Sequence, residues 1–151
     1  MELHPAIEPL AFLLGTWRGT GTGHYPTIDD FSYGEEVVIG HVGKPFLSYT
    51  QKAKVDGAPS HAEMGYYRPG PELLLAQPSG IVEILTGTLE GQVLHFEAIL
   101  VHGTPTAKEV VSVERRIEVE GDIMRYDLSM GAVGQPHQHH LSAELRRADH
   151  E

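Results

Sequence analysis

The chain has 151 residues and a formal charge of -10, from 11 Lys+Arg against 21 Asp+Glu, and its length fits a single domain over residues 1–151. The acidic balance argues against nucleic acid and anionic membranes as partners, because both require a dense basic surface. The absence of cysteine excludes disulfides, thiolate-ligated haem, iron–sulfur clusters and cysteine nucleophiles.

The first predicted element is a short helical segment between Pro5 and Leu14. Pro5 and Pro9 limit it to one or two turns, since proline is tolerated only near the start of a helix. The apolar residues 10–14 have no basic leader, so they predict neither a signal peptide nor a membrane span. We therefore expect a cytoplasmic protein.

Ten short strands are predicted next, because runs of Val, Ile, Leu, Tyr and Phe alternate with turns that contain Gly and Pro. The predicted strands are 17–23, 31–41, 46–55, 62–67, 73–77, 81–90, 93–101, 108–119, 123–130 and 139–147. Their links are hairpin-short, and no crossover helix separates them. This pattern predicts an all-β fold, a closed antiparallel up-and-down β-barrel of about ten strands, since closure removes exposed strand edges. Such a barrel should contain a cavity.

The first predicted strand carries alternate glycines between residues 15 and 23. They leave one face nearly free of side chains, so that a bulky group or another backbone can approach closely. No helix follows, which excludes a nucleotide-binding loop. Trp17 is expected to close the barrel floor beneath a cation, either Arg146 or Arg147.

Three of the ten histidines, His137, His139 and His140, precede the last strand and offer ligands for zinc, copper or haem iron. From spacing alone, a solvated hairpin that binds nothing is favoured. Regular alternation would place His139 on the inner face with Leu141 and would turn His140 outward. A β-bulge after Pro136, or a site at the barrel rim, is needed to aim His140 inward.

His61 and Glu63 share one face of their strand, as either a polar pocket wall or a solvent-facing pair, and the solvent-facing pair is favoured. The other histidines stand alone and are interpreted as surface or hydrogen-bonded residues: His4, His24, His41, His95, His102 and His150. No hydrolase motif is present.

Several short motifs occur in a specific order along nearly the whole chain. They are LLGTWRGTG at 13–21, YPTI at 25–28, GKPFL at 43–47, HAEMGY at 61–66, AQPSG at 76–80, AKEV at 107–110, and MGAVGQP at 130–136 running to His140-Leu141. In this order they resemble the nitrobindin family of haem-binding β-barrels, whose members are similar to fatty-acid-binding proteins and lipocalins in architecture.

The resemblance implies a ferric haem b with His140 as the axial ligand and the catalytic residue. It also implies that Thr27 lies against the haem and that His61 lies near it without clearly ligating the iron. Members of the family resemble peroxynitrite isomerases, which convert peroxynitrite to nitrate, and they also bind nitric oxide. Ligand exchange with His137 or His139, or binding of a nonhaem metal, stays open.

Two other classes of function stay open besides a haem enzyme or sensor for reactive nitrogen species. One is a carrier of a small hydrophobic ligand in the cavity, and the other is a structural barrel that has lost its ligand. The sequence does not determine the oligomeric state, a homodimer included.

Overall fold

The computed structural model describes residues 1–148, so His150 lies outside the described residues. A 3₁₀ helix over Pro5–Leu13 precedes the strands. The strands are β1 (Gly15–Tyr25), β2 (Ile28–Gly40), β3 (Leu47–Val55), β4 (Ala58–Arg68), β5 (Glu72–Ala76), β6 (Ile81–Glu90), β7 (Val93–Gly103), β8 (Val110–Glu120), β9 (Ile123–Ala132) and β10 (Gln138–Arg147).

Each strand pairs antiparallel with its neighbours in sequence, and β1 also pairs with β10, which closes the barrel. The predicted ten-stranded barrel is confirmed. Strand β2 begins at Ile28 rather than residue 31, and β4 at Ala58 rather than residue 62, because pairing continues up to the two-residue turns. The assignment of residues 1–151 to one domain stays a prediction.

One end of the barrel is closed by the 3₁₀ helix and by Trp17. The indole is fully buried, and its Nε1 donates a hydrogen bond to the backbone oxygen of Leu13 at 2.9 Å. The guanidinium of Arg147 lies 4.2 Å from the centroid of the indole ring, so Arg147 is the predicted cation. Arg146 is exposed. Among the described residues, no helix has the length and apolar character needed to cross a membrane.

Candidate functional site

The barrel encloses a cavity of about 540 Å³, which is the size of a pocket for a cofactor or another small organic molecule. Most of its wall is apolar or aromatic, and Phe31, Leu128 and Leu141 are examples. Polar and charged side chains make up the rest of the wall, and His61 and His140 are among them. The predicted cavity is therefore confirmed.

His140 faces the cavity because β10 contains a bulge. The pairing of β10 with β9 shifts register between His139 and Leu141, so that both His140 and Leu141 line the cavity. His139 is exposed. Regular alternation predicted that His139 lies on the inner face, and that prediction is wrong. The β-bulge that an inward-facing His140 requires is present.

The two ring nitrogens of His140 have different surroundings. Its Nδ1 lies 2.9 Å from the backbone oxygen of His24, and since a carbonyl oxygen can only accept, Nδ1 carries the hydrogen. Burial lowers the pKa of His140, although the bond to His24 acts in the opposite direction, so the ring is neutral near pH 7. Nε2 therefore keeps its lone pair, as a metal-ligating imidazole requires.

Two aromatic rings hold the imidazole of His140 from the side. The ring centroid of Tyr25 lies 5.3 Å from that of His140 and the ring centroid of Phe31 lies 6.4 Å away, both edge to face. The hydroxyl of Tyr25 is fixed in turn, because it accepts a hydrogen bond from the backbone nitrogen of Ala132 at 2.9 Å. The orientation of His140 is thus set by backbone and packing together.

The other two histidines near the start of β10, His137 and His139, face away from the cavity. Nδ1 of His139 lies 2.6 Å from Nε2 of His24, and its Nε2 lies 2.7 Å from the hydroxyl of Ser142. Nδ1 of His137 lies 2.8 Å from the hydroxyl of Ser112. Both rings are on the outer surface of the barrel. Of these three histidines, His140 is therefore the one that lines the cavity.

The remaining predicted site residues lie at the rim. His61 lines the cavity with its side chain exposed, and its Nε2 lies 3.7 Å from Glu63. Thr27 is exposed in the turn between β1 and β2, next to the cavity-lining Ile28. Contact of Thr27 with a haem stays a prediction. The solvent-facing interpretation of His61 and Glu63 is wrong, because Glu63 is buried and both residues contribute to the pocket wall.

Glu63 belongs to a buried ion cluster inside the barrel. The guanidinium of Arg115 lies 2.8 Å from Glu63 and 3.0 Å from Glu83, and the hydroxyl of Tyr49 donates to Glu63 at 2.8 Å. Burial raises the pKa of Glu63, but the charge of Arg115, the nearby imidazole of His61 and the hydrogen bonds from Arg115 and Tyr49 outweigh burial and hold the pKa at about 2. The cluster therefore carries two carboxylates against one cation.

A second polar group surrounds Glu35. The hydroxyl of Tyr33 lies 2.7 Å from that of Tyr126, which donates to Glu35 at 2.5 Å, while the side-chain amide of Gln51 donates to the other carboxyl oxygen at 2.8 Å. Burial raises the pKa of Glu35. The amide oxygen of Gln51 is buried and has no hydrogen-bond partner within residues 1–148.

These buried charges were not predicted, although the sequence contains a signal for them. Arg115 occupies the apolar phase of β8, between Val113 and Ile117, and Glu35 and Glu83 likewise stand at inward positions of their strands. A charged residue in the buried phase of an amphipathic strand indicates a partner inside the barrel. The identity of that partner depends on strands far apart in sequence.

The alternate glycines of β1 leave space that aromatic rings occupy, which confirms the prediction that a bulky group can approach this face closely. A Cβ atom at Gly21 would overlap the ring of Tyr33, and a Cβ atom at Gly23 would overlap the ring of Phe31. Glycine at these positions therefore gives the two rings their places in the cavity wall.

A closed barrel with an apolar cavity and a neutral, inward-facing imidazole defines a class of small-molecule-binding barrel that suits a metalloporphyrin. The sequence pattern of the "THAP4-like, heme-binding beta-barrel domain" matches residues 6–147, and the chain belongs to this family. The resemblance to the nitrobindin family is confirmed.

Curated relatives match almost the whole chain. "Peroxynitrite isomerase 2" of Mycobacterium marinum is 55% identical over 97% of both chains. "Peroxynitrite isomerase" of Nocardia farcinica is 50% identical over 97% of this chain and 94% of the relative. The crystal structure of Rv2717c from M. tuberculosis has a TM-score of 0.89 at 48% identity and covers 98% of this chain and 100% of that chain.

A more distant solved structure shares the fold alone. The S-type phycobiliprotein lyase CPES from Guillardia theta has a TM-score of 0.62 at 10% identity and covers 93% of this chain and 90% of that chain.

The residues of the cavity fit a haem. An apolar wall suits the porphyrin faces, the open rim suits the charged propionates, and the neutral imidazole of His140 suits the iron. The hydrogen bond from His140 to the backbone of His24 is the kind of outer contact that fixes a metal-ligating histidine.

Proposed function

We propose that the protein binds ferric haem b through His140 and converts peroxynitrite to nitrate. The observation that carries the proposal is the hydrogen bond from Nδ1 of His140 to the backbone of His24, which leaves Nε2 unprotonated at the edge of an apolar cavity. The names of the curated relatives support the reaction.

The chain offers noncovalent contacts to such a haem. Without cysteine it cannot attach the porphyrin through thioether bonds, which supports haem b. Lys108 and His61 line the rim of the cavity and are exposed, so they are suitable partners for the propionates. Thr27, in the neighbouring turn, is proposed to lie against the haem.

A bound haem would supply an iron with an open coordination position, and with it the chemistry needed to rearrange peroxynitrite to nitrate. The peroxynitrite and nitrate anions have the same atoms and the same charge, so the chain has no net proton or electron to deliver. Its residues hold the cofactor and exclude water from the apolar wall. The buried carboxyl groups of Glu63 and Glu35 in the cavity wall already have partners inside the protein. Glu63 is paired with Arg115, and Glu35 accepts two hydrogen bonds.

Nitric oxide is a second proposed ligand of the same iron position, in keeping with a role in detoxifying or sensing reactive nitrogen species. The cytoplasmic location and a homodimer stay predictions. A carrier of a small hydrophobic ligand is the alternative function, and the observation that favours it is the largely apolar cavity of about 540 Å³.

The test is stopped-flow decay of peroxynitrite with nitrate quantified, for haem-loaded wild type, apo-protein and His140→Ala. We expect fast decay to nitrate in the loaded wild type alone, with protection of free tyrosine from nitration. Equal decay rates in all three samples, or nitrite as the main product, would leave the carrier as the better account.

A further inference from the structure

A group of metal-ligating side chains lies on the outer surface of the barrel, separate from the cavity. His95 and Glu97 belong to β7, Glu114 belongs to β8, and His137 lies just before β10. We name these four residues the outer cluster. Their side chains are exposed or partly exposed, so an ion from solution can reach them without any opening of the barrel.

The side chains of the outer cluster converge on Glu114. Nε2 of His95 contacts one carboxyl oxygen of Glu114, and Nε2 of His137 lies 3.2 Å from the other. One ligand atom from each of His95, Glu97 and Glu114 lies within 4.8 Å of the others. The hydroxyl of Ser112, 2.8 Å from Nδ1 of His137, orients that ring so that Nε2 faces the carboxylate.

The strand register places two like charges opposite each other. Glu97 and Glu114 are directly paired residues of β7 and β8, and like charges in that position destabilise a sheet. Arg116, the cation next to them on this face, pairs with Glu118 instead. Within the part of the chain that the structure describes, no Lys or Arg pairs with Glu97 or Glu114. A bound cation would remove this repulsion.

We propose that the outer cluster binds a divalent transition-metal ion, with Zn²⁺ as its representative. Two imidazole nitrogens and two carboxylate oxygens are a donor set that Zn²⁺ accepts, whereas Ca²⁺ and Mg²⁺ favour oxygen ligands alone. Tetrahedral zinc places its ligand atoms about 3.4 Å apart. Exposed side chains reach that spacing by small rotations while β7 and β8 hold their Cα positions. The site gives His137 a role outside the haem pocket.

The test is titration of haem-loaded protein with Zn²⁺ in competition with a chromophoric chelator, because haem occupies His140. We expect one ion per chain. His95→Ala, His137→Ala and Glu97→Gln should each weaken binding by at least about 10-fold. His102→Ala removes another exposed histidine of β7 and is the matched control, with no expected change. Co²⁺ should give the visible absorption of a tetrahedral site in wild type and lose it in His95→Ala.

Three results would overturn the proposal. The first is a wild type that takes up no Zn²⁺ at micromolar concentrations. The second is wild-type affinity in His95→Ala and Glu97→Gln. The third is a loss that follows His139→Ala rather than His95→Ala, because that result would place the ion on the pair formed by His24 and His139.

Discussion

The imidazole of His140 is held by the backbone of His24 across two adjacent strand irregularities. Strand β10 shifts register between His139 and Leu141, and β1 shifts register against β2 at His24, between Gly23 and Tyr25. At this point Nδ1 of His140 lies 2.9 Å from the His24 carbonyl oxygen. The backbone therefore selects the tautomer of His140, and no side-chain substitution at His24 removes the contact.

Replacement of His140 by alanine should abolish haem binding or weaken it by more than about 100-fold, because no other imidazole of the three-histidine cluster faces the cavity. The barrel should stay folded, since His140 is only partly buried. The measurement is a haem titration followed by the Soret absorption, with far-UV circular dichroism as the check on folding.

The matched controls for His140→Ala are His137→Ala and His139→Ala, which remove exposed imidazoles from the same segment. Each should change haem affinity by less than about tenfold. If His139→Ala removed the Soret band and His140→Ala spared it, the assignment of His140 as the axial ligand would be wrong.

The position of His140 shows how far the sequence determines the site. Alternation along β10 correctly places Leu141, Ala143 and Leu145 inward. It also predicts that His139 faces inward and His140 outward, which is the reverse of the structure. A single bulge inverts the phase of every residue before it, and bulge positions depend on pairing with another strand rather than on local composition. Only the family resemblance pointed to His140.

The fold itself was predictable because it depends on local signals. Short turns and amphipathic strands specify a meander, and closure follows from the need to pair β1 with β10. The buried cluster of Arg115, Glu63 and Glu83 was not predictable in the same way. Its members come from β8, β4 and β6, and their meeting depends on the curvature of the barrel.

Glu63→Gln should make the protein less stable at neutral pH, and the loss should become smaller at low pH. The pKa of Glu63 lies at about 2 against an ordinary value of 4.5, which corresponds to about 3 kcal/mol of stability. A lowered carboxyl pKa stabilises the folded state above the ordinary value, and this contribution is lost as pH falls from 4.5 toward 2. Urea unfolding at pH 7 and pH 3 should show a difference between wild type and variant that shrinks with acid.

The control for Glu63→Gln is Glu144→Gln, which breaks an exposed pair with Arg125. Its effect on the unfolding free energy should stay below about 1 kcal/mol, because solvent screens exposed ion pairs. A Glu63→Gln variant with the same loss at both pH values would show that packing, and not charge, is the contribution of Glu63.

Glu35→Gln should stabilise the protein above the ordinary carboxyl pKa. Burial raises the pKa of Glu35, so its contribution to stability is present below the ordinary value and is lost as pH rises through the raised one. A glutamine still accepts from Tyr126, and the unpartnered amide oxygen of Gln51 can turn to accept from the new amide. Urea midpoints from pH 5 to pH 8 should fall in wild type and stay flatter in the variant. A steeper fall in Glu35→Gln would contradict the assignment.

Arg147 and Arg146 are adjacent arginines at the end of β10 that should differ in their effect on stability. Arg147 stacks on the buried Trp17, and its guanidinium donates to the backbone oxygens of Leu14 and Phe12 and to the carboxylate of Asp122. Arg146 is exposed.

Arg147→Lys keeps the charge but loses the stacking of the planar guanidinium on Trp17 and the hydrogen bonds that the guanidinium makes to several acceptors at once. It should therefore lower the unfolding free energy by about 1–3 kcal/mol. Arg146→Lys should change it by less than about 0.5 kcal/mol. The measurement is equilibrium urea unfolding followed by the fluorescence of Trp17, the single tryptophan. Because Arg147 covers the indole, the native fluorescence should also shift in Arg147→Lys and not in Arg146→Lys. Equal losses of stability in the two variants would show that the contact of Arg147 with Trp17 adds nothing to the stability of the barrel floor.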